Sequence, residues 1–422
     1  MEIRAVRGMH DVFGEEIRLW HFIEEKIKKI LGDFGFSEVR TPVLEKIEVF
    51  KETVGDETDI VEKQMYAIEK ESETLVLRPE GTASFMRAVL EHGLHKQGGT
   101  GRYYYYEPMF RHERPQKGRL RQFHQFGAEI INDASPEADA ELITVLDQIY
   151  RAFHITEYEV RINSVGCQDC RPVYKEALKK FFQPKLSSLC ELCQKRFERA
   201  PMRILDCKRD SCQAIAKGAP VITDSLDEKC KMHHETLRKR LKETNVAYID
   251  DPHIVRGLDY YSRTAFEFTS NLLGAQSALG GGGRYDLLAT RFGEKEVPAV
   301  GWGLGMERLV IALETRKDIA LPSENPVFYF ASLGAKAFDT LFPLSLQLKR
   351  DGVRNEMTYD PAKSLKSQLK QADKSGAKYT VVLGEDELNQ KQFLLKEMAT
   401  GKQEALPLAD LRKELSRRIS AH

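Results

Sequence analysis

Two segments of this chain concentrate charge where an ordinary pair of strands would carry little. The first runs Tyr106-Glu107-Pro108-Met109-Phe110-Arg111-His112-Glu113-Arg114, and the second Arg121-Gln122-Phe123-His124-Gln125-Phe126-Gly127-Ala128-Glu129. A loop rich in Lys, Gly and Arg, from Pro115 to Arg119, joins them. Guanidinium forks match phosphate and carboxylate oxygens in pairs, and carboxylates match an ammonium. Arginines, carboxylates and a glutamine on paired strands therefore suit a site that binds a polyphosphate beside a zwitterion.

A second chemistry is written in the thiols. All seven cysteines lie between Cys167 and Cys230, which in a long chain without a secretory pattern points to metal ligation or reduced thiols rather than a disulfide framework. Cys167-x-x-Cys170 and Cys190-x-x-Cys193 have the spacing of a tetrahedral zinc site, with Cys207 and Cys212 as alternative ligands. Cys230 stands apart, with His233 and His234 nearby.

The motifs continue beyond the charged pair, and their order carries a resemblance. Phe110-Arg111-His112-Glu113 resembles motif 2 of the class II aminoacyl-tRNA synthetases, and Gly303-Leu304-Gly305-Met306-Glu307-Arg308-Leu309 resembles motif 3. Arg256-Gly257-Leu258-Asp259-Tyr260-Tyr261 looks like the signature of the histidyl-tRNA synthetase family. Leu77-Arg78-Pro79-Glu80-Gly81-Thr82 and Gly281-Gly282-Gly283-Arg284-Tyr285-Asp286 extend it over nearly the whole chain.

The resemblance implies a reaction and a division of labour. An amino-acid carboxylate is joined to the α-phosphate of ATP, with Mg2+ and loss of pyrophosphate. This needs positive charge between two anions and aligned geometry, not a nucleophilic side chain. Neither a Gly-x-Ser-x-Gly elbow nor a Walker phosphate loop is present. By resemblance, Arg111, Arg256 and Arg308 are the catalytic cations. Glu113 and Phe123 contact adenine. Glu80, Thr82 and Gln125 hold the ammonium of histidine, Glu129 and Tyr261 hold its imidazole, and Tyr285 closes the pocket. Arg114 and Gln116 sit in the loop that meets the acceptor end of tRNA(His). The resemblance also implies a homodimer built through motif 1, and it places a regulatory, non-catalytic relative of the same fold as the alternative.

These side chains need a scaffold that the pattern of apolar residues supplies. Ile17, Trp20, Ile23, Ile27 and Ile30 recur at helical spacing, predicting a helix over 15–31. Ser37 to Leu44 reads as a strand interrupted by Pro42. Strands are expected at 75–77, 103–110, 122–131, 158–163, 248–249, 265–268 and 278–280. Helices are expected at 82–91, 136–153, 231–244 and 305–313. After the linker Leu321 to Pro326, alternating strands and helices predict an α/β domain. The expected fold is α+β. A class II core with an antiparallel sheet and flanking helices occupies 1–165 and 246–320, a Cys-rich and helical insertion occupies 166–245, and a C-terminal α/β anticodon-binding domain occupies 326–422.

Composition narrows the setting. With 41% hydrophobic and 30% charged residues the chain reads as globular, and its net charge of zero excludes a generally basic nucleic-acid binder. Lys363, Lys366, Lys370, Lys374 and Lys378 read as a solvated helical face. No apolar run approaches the ~18 residues of a membrane span, and no signal-peptide pattern opens the chain. The expected location is the cytoplasm, with no membrane partner.

Overall fold

The computed structural model describes residues 3–54, 60–205, 207, 209–254, 260–273, 278–314, 316 and 321–420. Arg256 lies outside the described residues. The chain divides into two compact units, Met1–Leu321 and Pro322–His422.

The strands of the first unit are β1 (Ser37–Glu38), β2 (Leu44–Lys46), β3 (Tyr66–Glu69), β4 (Thr74–Leu77), β5 (Gly101–Phe110), β6 (Gln122–Ile131), β7 (Glu159–Ser164), β8 (Ile249–Asp250), β9 (Ser262–Thr269), β10 (Ala278–Arg284) and β11 (Ala299–Gly305). Eight of them form one sheet in the order β1-β5-β6-β11-β10-β9-β7-β8. Its six inner strands pair antiparallel, and the two short edge strands pair parallel. Strands β2, β4 and β3 make a separate small sheet.

The period of two along these strands gives the large sheet unlike faces. Phe126, Ala128 and Ile130 of β6 and Val300, Trp302 and Leu304 of β11 are buried in one apolar cluster. Helices α1 (Glu15–Asp33) and α4 (Pro136–Ala152) contribute Ile23, Ile27, Leu142 and Ile149 to that cluster. The other face carries Gln125, Gly127 and Glu129 on β6, opposite Gly305, Gly303 and Gly301 on β11. Large side chains anchor the sheet below, while glycines leave room above.

Helix α2 (Glu48–Val54) packs on α3 (Thr82–Glu91), and α3 covers part of that open face. Its first turn has no hydroxyl cap; the Glu80 carboxylate accepts from the backbone N–H of Thr82 and of Ala83, both at 2.8 Å. A carboxylate at a helix N-terminus satisfies orphan donors and complements the dipole. The segment expected as one strand over 37–44 is instead split into β1 and β2. Between them Thr41 and Pro42 give their carbonyls to buried Arg78, which also pairs with Glu107 at 2.6 Å.

Residues 166–227 form a helical module with its own core. Helices α5 (Cys170–Phe182), α6 (Glu191–Arg199) and α7 (Asp210–Ala216), with the turns between them, bury Tyr174, Leu178, Phe182, Phe197 and Ile204 together with Cys170, Cys193, Cys207 and Cys212. Helix α8 (Glu228–Glu243) leads back to the sheet, packing on α4 and burying Leu237 and Leu241.

The second unit is a five-stranded sheet of order β13-β12-β14-β15-β16, with β12 (Phe328–Ser332) parallel to both β13 (Asn355–Met357) and β14 (Tyr379–Leu383). Strands β15 (Gln392–Glu397) and β16 (Gln403–Pro407) continue it antiparallel. A helix over Leu365–Ser375 is capped by the Ser364 side chain and ends at left-handed Gly376. Its Lys366, Lys370 and Lys374 are exposed opposite buried Gln368 and Ala372, as a solvated face requires.

Candidate active site

The open face of the large sheet gathers most of the residues that the motifs single out. A cavity of about 340 Å³ is lined by Arg111, Glu113, Phe123, Gln125, Glu267 and Arg308, with Gly280, Gly281, Gly303 and Gly305 as its floor. Arg111 follows β5 directly. Its Nε donates to Pro79 O at 2.8 Å, and its guanidinium lies 5.2 Å from the Phe123 ring centroid. Burial, opposed by Glu80 and reinforced by Arg119, brings Arg111 down to about 10, so it stays cationic at neutral pH. Arg308, in the first turn of α9 (Met306–Glu314), donates to Gly118 O at 3.1 Å and to Ala278 O. Burial and then its neighbours Arg111 and Arg119 lower its pKa too. Both guanidinium groups face one cavity, and each has a lowered pKa to which Arg119 contributes, which favours an anion between them.

Beside this cavity lies a buried carboxylate. Glu129 Oε1 accepts from Thr82 Oγ1 at 3.0 Å and from the Tyr105 hydroxyl at 3.3 Å, and Oε2 accepts from the Tyr285 hydroxyl at 2.5 Å. Burial keeps both phenols protonated, as donors. Burial also pushes the Glu129 carboxyl up to about 8, despite the hydrogen bonds from Tyr285 and Thr82. Glu80 is raised as well, first by burial, with its two backbone donors and Arg111 pulling the other way. The site thus holds two acids that burial discourages from ionising, next to two arginines that burial discourages from staying charged.

Glycine is required where the carboxylate lies against β11. A Cβ built on Gly301 would fall 1.4 Å from Glu129 Oε2. The Tyr105 ring makes a similar demand on Gly127, where a Cβ would come within 2.1 Å of Cζ.

The structure sorts the expected site residues. Arg111, Glu113, Phe123, Gln125 and Arg308 share the cavity, while Glu80, Thr82, Glu129 and Tyr285 share the hydrogen-bonded pocket. Tyr261 stands beside it, its ring 4.8 Å from that of Tyr260, which in turn lies 5.8 Å from Tyr285. Glu113 pairs with Arg119. Arg114 and Gln116 are exposed on the loop, which closes through Gln116–Arg119 backbone bonds of 3.0 and 2.9 Å. Arg284, next to Tyr285 in sequence, points the other way. Its guanidinium is buried against Asp139 of α4, Asp286 at 3.0 Å and the carbonyls of Asp133 and Ser135.

Tyr105, Arg119, Tyr260 and Glu267 also belong to this region; the sequence assigned none of them a role, although Arg119 closes the charged loop and Tyr260 lies in the family signature. Tyr105 had a signal: it lies on the same strand face as Glu107, paired with Gly127 between Gln125 and Glu129.

One expectation is corrected. Cys167, Cys170, Cys190 and Cys193 do not form one group. Cys190 and Cys193 lie with Cys207 and Cys212, whereas Cys167 and Cys170 lie with Asp227 and Cys230. The reason is local: Cys170 opens α5 and Cys190 precedes α6, so each CxxC meets partners that the fold brings to its own helix start.

This fold and site define a class II aminoacyl-tRNA synthetase. Residues 8–309 match the family described as histidyl-tRNA synthetase, and residues 328–418 match the anticodon binding domain. The histidine–tRNA ligase of Geobacter sulfurreducens is 42% identical over 99% of this chain and all of its own length. That of Thermodesulfovibrio yellowstonii is 43% identical over 99% of both chains. The crystal structure of apo histidyl-tRNA synthetase from S. aureus superposes with a TM-score of 0.82 at 33% identity, over 98% of this chain and 99% of that one. A Bacillus halodurans C chain, described as an ATP phosphoribosyltransferase regulatory subunit/histidyl-tRNA synthetase, shares the fold alone at 21% identity and TM-score 0.63, over 91% of this chain and 99% of its own. The chain belongs to the histidyl-tRNA synthetase family, whose members activate histidine and charge tRNA with it.

Proposed function

We propose that this chain activates L-histidine with ATP, accompanied by Mg2+, to histidyl-adenylate and pyrophosphate, and then transfers histidine to tRNA(His). The observation that carries this reading is Glu129. It is a buried carboxylate ringed by three hydroxyls, on the same sheet face as a cavity lined by Arg111 and Arg308. An imidazole offers ring nitrogens that a carboxylate and phenols satisfy together. A side chain of similar size without those nitrogens would leave the buried groups unpaired, which is a strong basis for rejection.

The roles follow the geometry. Arg111 holds the α-phosphate and the substrate carboxylate together as a carboxylate oxygen attacks phosphorus and pyrophosphate leaves. Arg308 takes the terminal phosphates, aided by the start of α9. Arg256 adds charge at the α-phosphate. Phe123 and Glu113 receive adenine, and Glu80, Thr82 and Gln125 receive the ammonium. Glu129 and Tyr261 receive the imidazole, and Tyr285 orients Glu129 and closes the pocket. A terminal ribose hydroxyl of the tRNA then displaces AMP, with Arg114 and Gln116 steering the acceptor end. The units fall as a core over 1–165 and 246–320, an insertion over 166–245 and an anticodon-binding domain over 326–422. We further infer a homodimer in the cytoplasm, with Zn2+ in the insertion as argued below. Among the described residues no helix is long and apolar enough to cross a membrane.

Histidine-dependent ATP–pyrophosphate exchange tests the reading, with proline, threonine and glycine as controls. Exchange with histidine alone is expected. Folded, dimeric protein that exchanges with no amino acid would move the chain to the regulatory relatives. Arg256→Ala should cut exchange severely with the fold intact, and near-normal activation would remove Arg256 from the mechanism.

A further inference from the structure

We propose that the insertion holds two separate zinc ions: one in a four-thiolate site of Cys190, Cys193, Cys207 and Cys212, the other in a site of Cys167, Cys170, Cys230 and Asp227. Within each set the four ligand atoms lie within 4.8 Å of one another. The two sets use all seven cysteines of the chain, so no thiol is left over. None of the seven is in a disulfide.

The distances fit a shared ion. A tetrahedral centre with zinc–sulfur bonds of about 2.3 Å separates its sulfurs by about 3.8 Å. Cys190 Sγ and Cys207 Sγ are 3.9 Å apart, and Cys167 Sγ and Cys170 Sγ 3.4 Å. Cys193 and Cys212 have no exposed surface, and Cys170 and Cys230 almost none. Four thiols, or three and a carboxylate, buried or half-buried at such a spacing without a bond between them have no packing reason to converge.

The surroundings are those of ligands. Cys212 Sγ accepts the backbone N–H of Cys190 at 3.3 Å, and Cys170 Sγ that of Asp227 at 3.2 Å; such donors steady a bound thiolate. Asp227 divides its oxygens. Oδ1 caps α8 by accepting from Cys230 N at 2.7 Å, while Oδ2 faces Cys167 Sγ at 3.2 Å. The helix cap thus fixes the rotamer that presents the other oxygen to the metal. Thiolate-rich tetrahedral sets favour zinc over the hard cations.

The two sites secure different things. The four-thiolate set lies in the insertion's own small core, with Phe197 and Ile204. The three-thiolate set stands where the insertion leaves and rejoins the sheet. Arg171, next to Cys170, donates from Nε to Val165 O at 3.2 Å and from its terminal nitrogen to Tyr261 O. Arg263 N donates to Gly166 O at 2.9 Å beside Cys167. Loss of this second ion would loosen the strand start that carries Tyr261.

The test is elemental analysis of the full chain, purified under reducing conditions and passed through a chelating resin. Two zinc ions per chain are expected; one, none, or another metal overturns the proposal. Cys193→Ser and Asp227→Ala should each retain one zinc, and a folded variant that keeps two removes the altered residue from its site. Mercurial titration of the unaltered protein needs no variant: zinc should leave as two separable equivalents, and release of a single equivalent contradicts two sites. A second readout rests on the proposed histidine pocket. Asp227→Ala should raise the KM for histidine severalfold with the KM for ATP unchanged, while Cys193→Ser alters neither. If stoichiometry holds and the KM does not move, the metal sites stand and only their link to Tyr261 falls.

Discussion

Two polar clusters are buried against opposite faces of the large sheet; burial acts alike on both, but their neighbours answer it differently. On the helix-packed face, Arg284 meets Asp139, which also receives His233 at 2.6 Å and the Thr264 hydroxyl. Burial alone would raise Asp139, but Arg284 and His233 outweigh it and hold the carboxyl below its usual range. Burial would lower Arg284, but Asp139 and Asp286 raise it. On the open face the signs reverse: Glu129 is raised, and Arg111 and Arg308 are lowered. The first cluster has its counter-charges built in, so it is a fastening. In the second, burial and Arg119 outweigh what Glu80 offers Arg111, an arrangement that becomes favourable when a ligand arrives with further counter-charge.

The contrast can be broken at its firmest point first. Arg284→Met leaves Asp139 short of its main partner, and removing one member of a buried pair costs about 3–5 kcal/mol. Denaturant unfolding should register a loss of that order, and a change below about 1 kcal/mol would deny the fastening role. Arg111→Ala probes the other cluster. Pyrophosphate exchange should fall by roughly 10²–10³-fold, as when one preorganised transition-state contact is lost. Its unfolding midpoint should stay level or rise, because burial and Arg119 together outweigh the attraction of Glu80 that the deletion gives up; a large destabilisation would make the two clusters alike.

Glu129 sharpens the same contrast through pH. Its carboxyl rises from 4.5 to about 8 on folding. A raised group contributes its full share of stability below the unfolded pKa and loses it as pH climbs toward the folded pKa. The empty protein should therefore lose stability between about pH 4.5 and 8 in part through Glu129. Glu129→Gln should unfold at a temperature that gains on the parent's as pH rises across that window, while histidine selection collapses. Parallel melting curves at every pH would discard the assignment. The smallest effect is expected outside both clusters: Arg114→Ala, on the exposed loop, should slow tRNA charging a few-fold and leave pyrophosphate exchange untouched. An equal loss in both assays would place Arg114 in the activation step.

How far the sequence revealed this depends on what each element spends its side chains on. Helix α3 and strand β6 have the residue limits that periodicity and turn residues predicted, because their apolar spacing is set by the cluster they face. Strand β11 was missed. In Ala299-Val300-Gly301-Trp302-Gly303-Leu304-Gly305 every second residue is a glycine yielding space to the site, which reads locally as a turn. The site's cations were legible as types in order, but not the division between Arg111, which faces the cavity, and Arg284, which does not; a one-residue shift along a strand decides that. The thiols were legible as candidates, Cys207 and Cys212 included, but their division into two groups was not, for a similar reason. Two CxxC pairs announce ligands, but their partners come from helix starts that only the fold brings together, and Asp227 was hidden as a helix cap.

Gly301 also has a genetic reading. Every missense neighbour of a glycine codon adds a Cβ, and at this position a Cβ would fall on the Glu129 carboxylate. Codons 301 and 129 should therefore share one phenotype, a failure of histidine selection in a protein that still folds. A strain living on Gly301→Ala would be expected to recover by returning to glycine or by shortening the acid, Glu129→Asp. Sequencing its revertants would decide the matter: compensating changes scattered elsewhere in the sheet, with none at 129, would show that the two positions are not one locus of function.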